Sequence, residues 1–457
     1  MLMTADPARL TAFTVIDRVT NEDAYLHILL RSTLQRSKLD ERGRAFVTEL
    51  CAGTVRLVRR MDYALASVVD RPLQEIDPPL LALLRMTAYQ ILEMRVPAYA
   101  AVSSAVELAK QRLGKGSASF ANAVLRTLAR AAQEIDWPRP EETERYISDY
   151  LSYPPWMARY LLDTFGEERA LSLAKAGNLR PPLTVRVNTL KWETDGYLEV
   201  IRQRGWSGEK GRFCPEALTN LHLPGWALQE EWRSGNLAVQ DESSMLVSYI
   251  LDPQPGERIV DACAAPGGKA THIAQLCRDQ SEIIAVDNQP RRLESLRELA
   301  GYLGISSISC MEGDSRYLPE MLDGPADRIL IDAPCSGLGT LRRRPDIKLK
   351  RKREDIQEMA SVQDQLLDAA AEALKPGGLL VYSVCTFTPE ETVDRVTRFL
   401  TEHEDFILED PSPFCPLGPP LPQRENERHL QILTDLHGLD GMFISRLRRR
   451  GTSGSDD

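Results

Sequence analysis

The sequence has no apolar run long enough to cross a bilayer, and its start, MLMTADPARLTAFTVIDRV, lacks the basic stretch and small-residue cleavage site of a secretory leader. A cytoplasmic protein that keeps away from membranes is the expectation. No pair among its eight cysteines (51, 214, 263, 277, 310, 335, 385 and 415) shows C-x2-4-C spacing, so a zinc site is not expected. Nor is a disulfide framework, and most of the thiols should be reduced, buried and inert. An excess of positive charge is missing too: 56 Lys and Arg against 66 Asp and Glu leave a net charge of -10, which argues against indiscriminate binding to nucleic acid. Neither G-x-G-x-x-G nor G-x4-G-K-[ST] occurs at a strand end, which disfavours dinucleotides and ATP.

What is present indicates several domains. The chain has 457 residues, 43% of them hydrophobic and 27% charged, which is more than one ordinary core holds. Its basic residues are clustered. LRRRPDIKLKRKR (341–353) sets eight basic side chains against Asp346 alone, and RLRRR follows at 446–450. These read either as a solvated helix face with a basic tail or, given the motifs nearby, as a phosphate-binding strip.

Residues 1–142 carry helical periodicity, clearest in PPLLALLRMTAYQILEM (78–94) and VSSAVELAKQRL (102–113). GKGS (114–117) breaks it, ASFANAVLRTLARAA (118–132) restores it, and Pro138 and Pro140 end it. From 143 to 235 the character changes, with the strand-like PPLTVRVNTLK, a short helix in GYLEVIRQRG and the extended LTNLHLPG. This predicts a small α/β module. From 236 to 450, RIVDAC, EIIAVD, SISCMEGD, DRILIDA, LLVYSVC, DFILE and GMFISRL alternate with helical patterns. That alternation predicts a doubly wound, Rossmann-like α/β domain on a parallel sheet, with its ligand beyond the carboxyl ends of the strands. Residues 451–457 are expected to be a disordered tail.

The strand ends carry the chemistry. DACAAPGGK (261–269) brings Gly267 and Gly268 to the start of a helix, where backbone approaches a ligand closely and N–H groups are free. Asp287 ends the next strand, placed to accept hydrogen bonds from ribose hydroxyls, and Asp314 and Asp332 end the two after it. Three acids around a glycine turn suggest a nucleoside ligand without polyphosphate, and S-adenosylmethionine fits. Two thiols follow, Cys335 in DAPCSG and Cys385 in VYSVCTF. Neighbouring strands lie about 4.8 Å apart, so both thiols should face one cleft, with Asp332 able to meet a substrate base. Geometry alone does not choose between them.

DACAAPGGK, DAPCSG, YSVCT with TPEE, and VQDESSM (239–245) together resemble the RNA cytosine-C5 methyltransferases. Residues 83–126 resemble the NusB family of helical RNA-binding antitermination factors. With both, the whole chain resembles the bacterial branch acting on 16S ribosomal RNA. The resemblance implies an all-α NusB-like bundle, a ferredoxin-like middle module and a methyltransferase domain. It implies cofactor contacts from Cys263, Ala264, Ala265, Pro266, Gly267, Gly268, Lys269, Asp287, Arg292, Asp314 and Asp332, and no metal. It implies an RNA-facing surface with Arg85, Lys110, Asn122 and Arg126. It selects Cys385 as the nucleophile, with Cys335 assisting product release. The expected partner is 16S ribosomal RNA, not DNA, and the expected state is a monomer. The alternatives are methylation of another RNA such as transfer RNA, and a non-catalytic NusB-like RNA-binding factor. Thr392 and Met442 depart from the family pattern, away from the chemistry.

Overall fold

The computed structural model describes residues 6–417 and 428–451, so nearly all of the expected disordered tail, 452–457, lies outside the described residues. Contacts divide the chain into two units: Met1–Arg180 with Leu341–Lys352, and Pro181–Thr340 with Arg353–Asp457. Among the described residues no helix is long and apolar enough to cross a membrane.

The first unit is helical. Its centre is the helix Pro78–Leu92, where Leu80 through Gln90 are buried apart from Arg85, the pattern of a helix enclosed on all sides. Pro78 and Pro79 suit its first turn, where no intrahelical N–H is needed. Around it pack Pro7–Asn21, Glu41–Arg56, Ala98–Arg112 and Lys115–Ala131. The break expected over GKGS is confined to Gly114, whose φ of +97° turns the chain before a new helix starts at Lys115.

The contact boundary falls at Arg180, although the composition changes near 143. The helix Pro155–Ala176 and the turn before it pack with the bundle, Arg59 donating its backbone N–H to Ser152 Oγ at 2.9 Å. The basic strip also belongs here. Arg342 and Lys348 are buried, Asp346 accepts the Leu26 N–H at 3.1 Å, and Lys350 Nζ lies 2.6 Å from Asp23. Arg344 and Lys352 remain exposed. Much of the strip is therefore a clasp within this unit.

The second unit holds two sheets. β1 (Val185–Val187), β2 (Ser207–Lys210), β3 (Ala217–His222) and β4 (Leu237–Val239) form an antiparallel sheet in the order β2-β3-β1-β4. Helices Thr194–Gln203 and Gly225–Arg233 complete a βαββαβ chain order, which is the ferredoxin-like arrangement.

The larger sheet contains β5 (Arg258–Asp261), β6 (Glu282–Asp287), β7 (Ile308–Glu312), β8 (Ala326–Asp332), β9 (Leu374–Val384), β10 (Phe406–Glu409), β11 (Leu430–Ile432) and β12 (Met442–Arg449). Its order is β10-β12-β9-β8-β5-β6-β7, with β11 paired to β12. The pairings from β7 to β9 are parallel, whereas β12 runs antiparallel to β9 and to β10. The sheet is therefore mixed, where alternation alone predicts a parallel one. RLRRR is not a tail but part of β12: Arg446 is buried with Glu409 at 2.7 Å, and Arg449 pairs with Asp405 at 2.8 Å. β5 lies between β6 and β8, so strand order reverses at the β5–β8 boundary, and the crevice opens at their carboxyl ends.

Candidate active site

At the carboxyl end of β5 the chain turns through Gly267, whose φ is +104° and where a Cβ would lie 2.7 Å from Leu296 Cγ. Only glycine suits both conditions. The helix Gly268–Leu276 starts there. Arg186, from β1, is buried beneath the turn, donating to the Gly268 carbonyl at 2.6 Å, to Thr271 Oγ1 at 2.8 Å and to Gln240 Oε1. Burial pushes this guanidinium down to about 9. The sequence reading saw only a strand at Arg186.

Asp287 is buried at the end of β6. Its Oδ2 accepts the Ala265 N–H at 3.3 Å and its Oδ1 the Gln289 N–H at 2.9 Å. Arg292 lies 3.3 Å from Asp287 and also donates to the Ala265 carbonyl, tying the glycine turn to β6. Ala264 and Ala265 are buried, Cys263 is half-buried and Pro266 exposed. Asp314 sits two residues beyond β7. It caps the turn through the Arg316 N–H at 3.1 Å and pairs with the Arg316 guanidinium at 2.5 Å, and this pairing holds its carboxyl below the usual range.

Asp332 ends β8 with both oxygens engaged. Lys269 Nζ is 2.7 Å from Oδ2, and Ser383 Oγ donates to Oδ1 at 2.9 Å. Ser383 is the register partner of Asp332 on β9, so the pairing that aligns the strands also anchors the acid. Asp261 has no such anchor. It is buried, and among the described residues neither of its oxygens has a hydrogen-bond partner. Burial first, and then the charge of Asp332, pushes its carboxyl up to about 7.

The two thiols meet. Cys335 and Cys385, both half-buried, lie with their sulfurs 3.3 Å apart. The next residues of each loop are joined as well, Ser336 Oγ to Thr386 Oγ1 at 2.9 Å. Glu391 fastens this bridge. Its buried carboxylate accepts the Ser336 N–H at 2.7 Å, Thr388 Oγ1 at 2.7 Å and Gln363 Nε2 at 3.2 Å. Gly339 N–H donates to the Cys385 carbonyl at 3.0 Å, closing the same junction. The hydrogen bond to Cys385 is the main influence pushing the Cys335 thiol well up, with burial next.

All the residues expected at the site belong to one unit, at or just beyond the ends of β5, β6, β7, β8 and β9, with Gly268 and Lys269 in the helix after β5 and Arg292 in the helix Pro290–Leu303 after β6. Sequence reading missed Ser383, Glu391 and Arg186 as supports. For Glu391 the signal was there: TPEE lies within six residues of Cys385, and its second acid is the buried one.

Comparison with known proteins agrees along the whole length. Residues 248–448 match the family described as 16S rRNA methyltransferase RsmB/F, residues 6–130 the NusB family, and residues 153–222 the ferredoxin-like domain of RsmF/B-like methyltransferases. The probable ribosomal RNA small subunit methyltransferase B of Bacillus subtilis is 34% identical over 96% of this chain and 98% of its own. That of Synechocystis is 35% identical over 97% and 99%. The crystal structure of PH0851 shares the fold with a TM-score of 0.83, at 24% identity over 98% of this chain and all of that one. With NusB-like helices, a ferredoxin-like sheet and a Rossmann-like domain following one another in a single chain, the protein belongs to the RsmB/F family of 16S ribosomal RNA methyltransferases.

Proposed function

We propose that this methyltransferase modifies carbon 5 of a cytosine in 16S ribosomal RNA, that Cys385 is its nucleophile and that S-adenosylmethionine is its methyl donor. The observation that carries the reading is the pair of sulfurs 3.3 Å apart on adjacent strand ends, with Asp332 anchored beside them.

Carbon 5 of cytosine is a poor nucleophile. A thiolate adding to carbon 6 breaks the aromaticity and makes carbon 5 an enamine carbon, dividing one difficult step into easier ones. After carbon 5 is methylated, its proton leaves to a base, the sulfur–carbon 6 bond breaks, and the ring is restored. Cys385 serves as the attacking thiolate, as the resemblance to the RNA cytosine-C5 methyltransferases implies, since two sulfurs in mutual contact do not by geometry choose between themselves. Cys335, in contact with that sulfur, assists the elimination. Asp332 faces the base edge, and Lys269 and Ser383 fix its orientation. The target base must be unpaired or turned outward to reach such a site.

The residues fit the cofactor. Asp261 is a buried acid without a hydrogen bond in a cleft of acids, which suits a cationic ligand without phosphates. Gly267 and Gly268, with Cys263 through Lys269, would line it, and Asp287 would hold the ribose while Arg292 steadies the loop. S-adenosylmethionine supplies the methyl group when bound there.

RNA containing 5-fluorocytosine tests the reading, because fluorine cannot leave as the carbon 5 proton does. The wild type should be trapped covalently on it, and Cys385→Ala should form no adduct and no product. Cys335→Ala should attack but release slowly, leaving an adduct with ordinary cytosine that survives denaturing gels. Exchanged phenotypes would transfer the nucleophile to Cys335, and product from Cys385→Ala would end the covalent reading.

A further inference from the structure

The helical unit contains a pocket of about 430 Å³ that the chemistry above does not use. Arg56, Arg60 and Arg180 line it, against one carboxylate, Glu49. That carboxylate already accepts the Tyr89 hydroxyl at 2.8 Å, and Arg180 stays 3.9 Å from it. Arg60 is itself paired with Glu93 at 3.1 Å, so the lining together with that acid carries one more positive charge than negative ones.

Behind the wall lies a further cation. Lys348 is buried, and its Nζ reaches the Asn178 side-chain oxygen at 2.6 Å and the Leu151 carbonyl at 3.3 Å, 3.7 Å from the centre of the Tyr153 ring. Asn178 and Leu151 both line the pocket. Arg56 donates to the Arg342 carbonyl at 3.0 Å. The acceptors holding these two cations are neutral. Burial, with the neighbouring Arg56 charge, pushes the Lys348 amine well below its ordinary range. Burying cations without an anion is unfavourable, and an anion entering the pocket would offset it.

We propose that this pocket is a binding site for a backbone phosphate of single-stranded ribosomal RNA. Arg180 presents its guanidinium fork to the nonbridging oxygens, Arg56 and the Glu93-paired Arg60 add positive potential from the wall, and an entering phosphate favours the protonated form of Lys348 below it. Guanidinium matches phosphate geometry in two-point contacts, which favours a phosphodiester over a carboxylate-bearing peptide as the occupant. The volume accommodates about one nucleotide unit and not a duplex, consistent with the loops and bulges that sequence-specific RNA recognition prefers. The inference rests on ribosomal RNA being the substrate. It places RNA on a different group of residues from Arg85, Lys110, Asn122 and Arg126, and Arg85 is already committed to Asp62 at 2.6 Å.

The test uses the full chain and a single-stranded 16S fragment, with binding followed by fluorescence anisotropy across a salt series. The Arg180 side chain is 84% exposed, so Arg180→Ala should leave the melting temperature unchanged. It should weaken RNA binding about threefold to tenfold at low salt. It should also reduce the slope of log affinity against log salt by about 0.7, the value for one phosphate contact on a single strand. Lys348→Met, similar in length and uncharged, should weaken binding in the same direction. Unchanged slopes in both variants, with RNA still bound, would overturn the pocket. So would a flattened slope in Arg126→Ala alone, which would move the RNA to the other residues. A wild type that binds no RNA would remove the substrate assignment together with the pocket.

Discussion

Replacing Asp261 with asparagine should make the protein without cofactor more stable in alkaline solution, and much less so in acid. The carboxyl is buried at the end of β5 without a hydrogen-bond partner, and its folded-state value is about 7 against an ordinary 3.8. For an acid, such a raised value means that the folded state prefers the proton. Below about pH 4 both states are protonated and the group contributes nothing. From about pH 4 to pH 7 the unfolded chain has lost the proton and the folded chain keeps it. Stability then falls by about 1.4 kcal/mol per pH unit, reaching a penalty of about 4 kcal/mol above pH 7. Asparagine has the same shape and cannot ionise, so it avoids the penalty. The advantage of Asp261→Asn should grow by roughly 2–3 kcal/mol between pH 5 and pH 8, which is roughly 5–10 °C in melting temperature for a domain of this size. Thermal melts at the two pH values measure it directly. Equal advantages at both would refute the reasoning, because a pH-dependent advantage requires that burial and the neighbouring Asp332 charge hold the Asp261 proton on in the folded state. The same variant should bind S-adenosylmethionine more weakly by calorimetry, since the strained acid is the group that a cationic ligand would relieve.

Asp287→Ala should weaken S-adenosylmethionine binding by roughly 1.5–3 kcal/mol, the scale of a hydrogen bond to a charged group, and unchanged calorimetric affinity would remove Asp287 from the site. Glu391→Gln places an amide N–H₂ among the donors from Ser336, Thr388 and Gln363. It should lower stability by about 1–3 kcal/mol in denaturant titrations and slow adduct release, because it loosens the loop that holds Cys335 against Cys385. An unchanged midpoint would mean that the carboxylate is dispensable to the junction.

The parallel part of the large sheet, β5 to β9, was legible because its strands are apolar runs stopped by an acid, a glycine or a thiol, and those stops make up the candidate site. Asp332 and Cys335 follow β8, and Ser383 and Cys385 close β9, so pairing two adjacent strands was enough to bring both sulfurs together. Strand direction was not legible. Nothing in GMFISRLRR distinguishes an antiparallel strand from a parallel one, and the acids that Arg446 and Arg449 meet lie on or beside β10, far off in sequence. The same limit applies to the basic strip. A run of eight basic residues reads as a surface, yet Arg342 and Lys348 turn inward, because Pro345 and Asp346 bend the segment and Asp346 accepts the Leu26 N–H. Charge density in a sequence gives the number of cations and not their direction. Glu391 makes the point for acids: TPEE offers two, and only packing determines that Glu390 stays half-exposed while Glu391 is enclosed by donors from three segments. A buried charge is visible only once the chain supplies its partners from afar, which is why the two thiols stood out in local motifs and their supports did not.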